Sequence, residues 1–95
     1  MVQKVKVNSS NEHWNNASDE SRVYDMSANV NISGSAMNSV ESGEVVKDGI
    51  QVANFNLWNE NHMNITYQGV DVEERNAINV AVDTFVSELK EAINN

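Results

Sequence analysis

Cysteine and proline are both absent from the 95-residue chain, and only four residues are glycine. Without cysteine there is no disulfide framework, no thiolate metal site and no cysteine nucleophile. The lack of proline, the scarcity of glycine and the absence of a long polar tract argue against a disordered chain or a flexible linker. Long apolar runs are missing too, so no segment approaches membrane-spanning length, and the opening "MVQKVKVNSS" has no apolar core of a secretory signal. A soluble, cytoplasmic protein is expected. Basic residues are also few. Six lysines and arginines against fourteen acids leave a net charge of −8. Direct binding to nucleic acid or to an anionic membrane needs a positive surface and is not expected. A basic protein partner suits such a charge.

What is present fits one domain spanning residues 1–95. A hydrophobic content of 40% supports one thin core between two layers rather than a deep enclosed pocket. "VQKVKV" (2–7) reads as a strand with Val5 and Val7 on one side and Lys4 and Lys6 on the other, a pattern suited to a sheet edge. "NSSNEHWNNASDES" (8–21) shows neither helical nor strand period and reads as a long loop around Trp14. In "RVYDMSANVNIS", Tyr24, Met26, Ala28, Val30 and Ile32 alternate with polar residues, which is a strand. Ser33-Gly34-Ser35 is a turn.

Residues 36–46 alternate poorly, and Gly43 marks a bulge there. Lys47-Asp48-Gly49 is a hairpin signal. "IQVANFNLW" shifts phase near 52–53, as a second bulge or partial cover of both faces would make it do. "HMNITY" alternates again through Met63, Ile65 and Tyr67. The meander therefore covers 22–68.

Beyond Gly69 the period changes to that of a helix over 72–93. Ile78, Ala81, Val82, Phe85, Val86, Leu89, Ala92 and Ile93 form one apolar stripe. Asp71 with Glu74 three residues on resembles a capping box, and Glu73 and Glu74 complement the helix dipole. The expected class is α+β: an antiparallel meander of four to five strands with one C-terminal amphipathic helix packed on one face.

Chemistry has little to stand on. The two histidines, His13 and His62, each lie near a glutamate (Glu12, Glu60), but a metal or catalytic centre needs three converging groups. No serine sits in a nucleophile elbow, and "SGS" at 33–35 is a turn rather than a phosphate loop. Neither catalysis nor a cofactor is expected. A metal or ligand site using His13 and His62 would require the 8–21 loop to fold onto the 59–62 turn.

Binding features are clearer. Trp14 and Trp58 offer large areas at small entropic cost, either to the core or to a partner. "NFNLWNENHMNITY" (54–67) holds five asparagines with Trp58 and His62 at its centre. By period, most of it is a hairpin showing amides to water. From Asp71 to the end there are six acids and two bases, with Asp83 and Glu91 on the outward helical face. Partner-binding candidates are accordingly Trp14, Trp58, His62, Asp83 and Glu91.

In composition the chain looks like many small bacterial or phage proteins that act by binding. It also looks like small acidic inhibitors of nucleic-acid enzymes, including anti-CRISPR proteins. The likeness is one of composition and transfers no function. The charge and the tryptophans lead to the expectation of a non-catalytic protein docking an acidic surface on a basic protein partner, in its sharpest form an inhibitor of a nucleic-acid-binding enzyme. The alternative is a structural subunit that self-associates as a homo-oligomer through a sheet edge or an exposed β-face.

Overall fold

A computed structural model describes residues 2–8, 11–16, 23–33, 36–58 and 62–94. Six strands, β1 (Val2–Asn8), β2 (Asn11–Asn16), β3 (Asp25–Ser33), β4 (Ala36–Lys47), β5 (Ile50–Trp58) and β6 (His62–Tyr67), precede one helix, α1 (Val72–Asn94). The strands form one antiparallel sheet in sequence order. The expected α+β meander with a C-terminal helix is therefore the architecture, with one strand more than expected.

The additional strand is β2, in the segment expected to be a loop. Register places Trp14 opposite Ala28, and His13 opposite Asn29. The alternation is real, but Glu12 and Asn16 share the inward side with Trp14, so hydrophobicity does not display it. Register also corrects the picture of β1. A shift between Lys4 and Lys6 sets Lys4 opposite Trp14 and Lys6 opposite His13, so the simple alternation of that strand is broken.

The bulge expected at Gly43 is present, and of the two explanations for the phase change near 52–53 the structure shows the bulge. The β4–β5 register shifts between Val40 and Gly43 and again between Val45 and Val46, where Gln51 and Ala53 face consecutive residues of β4. Asp48 and Gly49 take φ of 54° and 79° between β4 and β5, the pair of positive angles that matches a hairpin turn to the twist of its strands.

The inner sheet face and the apolar stripe of α1 enclose one core. Ala28, Val30, Val40, Val45, Ala53 and Phe55 are fully buried from the sheet side, and Ile78, Val82 and Leu89 from the helix. Phe55 and Phe85 meet edge to face at 6.1 Å and 80°. Ala92, placed in the stripe by periodicity, is exposed.

The start of α1 is fixed twice. Asp71 Oδ1 accepts from the Glu74 backbone N–H at 2.9 Å, which is the expected cap. The Glu74 carboxylate does not complete a box. It accepts instead from Tyr24 Oη at 2.5 Å and from Lys47 Nζ at 2.8 Å, tying the helix to β4 and to the residue before β3.

Candidate functional site: the uncovered sheet face

From Ala53 to Leu57 in β5, beyond its bulge, and along β6, odd-numbered residues turn toward α1 and even-numbered ones face away from it. Cross-strand register then assembles three polar rows on the outer face. Asn31, Ser39, Trp58 and His62 form one; Asn29 and Glu41 lie in the next, beside Asn56 and Asn64; Ser27, Glu44, Asn54 and Thr66 form the third. The rows hold amides, hydroxyls and carboxylates, with a single large aromatic among them. Over β3–β6 this face carries no lysine or arginine.

Trp58 ends β5 with 44% of its surface exposed. Its indole lies nearly parallel to the His62 imidazole, with centroids 6.4 Å apart and planes at 13°. The two residues are directly opposite in register, which is what brings the rings together. Glu41 and Glu44 are exposed on the same face, one and two rows away from that pair. Their carboxylates meet no lysine or arginine among the described residues. The face can therefore offer a flat aromatic anchor and negative charge to the same partner.

The other candidates do not join them. Trp14 is buried, at 8% exposure, on the inner face. Its indole N–H donates to Glu12 Oε1 at 3.0 Å, and Lys4 Nζ lies 6.0 Å from its ring. It closes the β1–β2 end of the core and never meets Trp58. Asp83 and Glu91 are exposed on α1, on the opposite side of the sheet from Trp58.

His13 shares the outer face, and its Nδ1 lies 2.7 Å from Asn29 Oδ1. Three strands separate β2 from β6, so His13 and His62 are about 19 Å apart at the usual strand spacing and cannot share an ion. Among the described residues, no three histidine or acidic side chains gather to hold a metal.

Tyr24, Glu74 and Lys47 make the strongest electrostatic cluster of the described residues. Burial first, and then the Glu74 carboxylate, push the Tyr24 hydroxyl up to about 12. Hydrogen bonding to Lys47, and then to Tyr24, holds the Glu74 carboxyl below the ordinary range, and Glu74 in turn raises Lys47. All three groups are satisfied by one another, which makes the cluster a structural tie. Two depressions flank it. One is an acidic cleft at Asp71, Glu73 and Glu74; the other is an apolar groove of about 230 Å³ between Tyr24, Met26 and Phe85.

Glu41 and Glu44 belong to this candidate face and were not among the residues singled out from the sequence. Their signal was positional: they fall at outward places on a strand whose bulge obscured the alternation. No helix among the described residues is long and apolar enough to cross a membrane, which says nothing of β-barrels. Comparison with protein-family models, curated proteins and solved structures finds no match.

Proposed function

We propose that this chain is a non-catalytic binding protein, working in the cytoplasm, whose outer sheet face docks on a basic surface of a protein partner. The supporting observation is the composition of that face. An exposed Trp58 stacked on His62 shares the face with Glu41, Glu44 and rows of amides, and that face carries no lysine or arginine over β3–β6. Aromatic anchors surrounded by polar groups supply the affinity of many interfaces, and charge of one sign steers the encounter.

The sharpest form of this reading is an inhibitor that occupies the nucleic-acid groove of an enzyme, as a phage anti-defence protein would. Asp83 and Glu91 are then a solvated helical surface rather than part of the docking face.

Capture of basic partners at low and high salt tests it, with Trp58→Ala and the double reversal Glu41→Lys/Glu44→Lys as comparators. Affinity should fall as salt rises. Each variant should lose roughly tenfold or more, since an anchoring tryptophan is commonly worth about 2 kcal/mol. Capture that neither salt nor either variant changes removes the reading.

A further inference from the structure

We propose that β6 is a homodimer edge, pairing antiparallel with β6 of a second copy about a two-fold axis at Ile65. The phase of the β5–β6 ladder carries this. Gln68 N–H donates to Val52 C=O at 2.9 Å, in line with the pairing of Tyr67 with Ala53. Hydrogen-bonded pairs recur at every second residue of an antiparallel ladder, so Gln68, Thr66, Asn64 and His62 turn their backbone groups inward to β5. Met63, Ile65 and Tyr67 turn theirs outward. Among the described residues no strand pairs on that side.

The two sheet edges differ in how they are guarded. β1 has Lys4, Lys6 and a register shift between them, devices that discourage edge pairing. β6 has no lysine, arginine, acid or proline, and its register with β5 is unbroken from Trp58–His62 to Ala53–Tyr67. Its inward side chains are also incompletely covered. Met63, Ile65 and Tyr67 are half-buried, whereas Phe55, opposite Ile65, is fully buried.

A second copy fits both needs at once. A two-fold axis normal to the sheet keeps inner and outer faces aligned. With Ile65 opposite its own counterpart, Met63 falls opposite Tyr67 of the other chain. Every outward N–H and C=O of those three residues then gains a partner, and the half-covered apolar row closes on itself. Sliding the pair by two residues drops either Tyr67 or Met63 out of the ladder, depending on the direction. Strand β6 carries no formal charge in a chain of net −8, so the edges meet without like charges directly opposed. The remaining repulsion is between whole molecules and is screened by salt.

Sedimentation equilibrium of the full chain from micromolar to millimolar concentration, at low and moderate salt, tests association. The average mass should climb from that of one chain toward that of two, and more steeply at the higher salt. This is the opposite salt dependence from docking on a basic partner, so the two readings fail separately. Placement is tested by Ile65→Cys, because directly opposed hydrogen-bonded residues lie about 5.5 Å apart, within disulfide reach. Mild oxidation should convert Ile65→Cys to a covalent dimer at least tenfold faster than Asn64→Cys, whose counterpart is offset along the strand. A monomer mass at every concentration overturns the proposal. So does a dimer in which Ile65→Cys cross-links no faster than Asn64→Cys.

Discussion

Gly43 lies beneath the Phe55 ring, and three ring carbons sit 2.6 Å from where a β-carbon would be. No real side chain tolerates that distance, so any larger residue must lift the ring. The ring is not free to move, because its far side meets Phe85 of the helix edge to face. Gly43→Ala is therefore expected to cost about 1–3 kcal/mol, the usual range for overpacking a closed core. Urea denaturation checks this. The midpoint should fall with an unchanged slope, since the surface exposed on unfolding is nearly the same. An unchanged midpoint would mean that the ring can rest elsewhere. The bulge at Gly43 was legible from the broken alternation of β4. Its role as a seat for Phe55 was not, because that depends on the partner strand and on the helix above it.

Among the elements, those that bury one apolar face against water on the other were the most legible. β3, β6 and α1 obeyed their periods, and the phase change in β5 announced its bulge. β2 was hidden because Glu12 and Asn16 point inward. Asn16 gives the reason such a residue is useful there. Its amide donates to Tyr24 C=O at 2.7 Å and accepts from Met26 N–H at 2.9 Å, fastening the end of β2 to the start of β3. The helix start holds a similar tie, and its titration has a defined sign. Glu74 is depressed, so its contribution is complete above its ordinary value of 4.5 and is lost as pH falls through the depressed one. Tyr24 is raised from 10.0 to about 12, so its contribution is complete below pH 10 and is lost between those values. Lys47, raised from 10.5, acts in the same alkaline direction. Glu74→Gln should lower stability near neutrality and bring the variant closer to the wild type at both extremes. Denaturation midpoints of the two proteins across pH measure this, and a constant difference at every pH would refute it.

Across the whole molecule, the candidate site was half legible. Trp58 and His62 could be picked out at a turn between strands, but their sharing a face with Glu41 and Glu44 follows from register. Register was beyond reach once the bulges of β4 were unplaced. The sequence does not decide Trp14 between core and partner for a related reason, since assigning it to a face requires knowing that it stands in a strand. Charge was fully legible, and it has a consequence for the fold as a whole. Fourteen acids face six bases, and the described ion pairs are Lys4–Glu12 at 3.5 Å and Lys47–Glu74 at 2.8 Å, both partly exposed. Such pairs contribute little, typically below about 1 kcal/mol each. With a radius of gyration of 12.8 Å, many like charges lie farther apart than the screening length of about 10 Å at 0.1 M salt. Moderate salt should therefore remove more repulsion than attraction. The thermal midpoint is expected to rise with sodium chloride, by about 4–8 °C for each kcal/mol relieved in a domain of this size. Scans at micromolar protein, where edge pairing is sparse, separate this rise from dimerisation. A midpoint that falls with salt would show that the Glu74 and Glu12 pairs outweigh the excess negative charge of the chain.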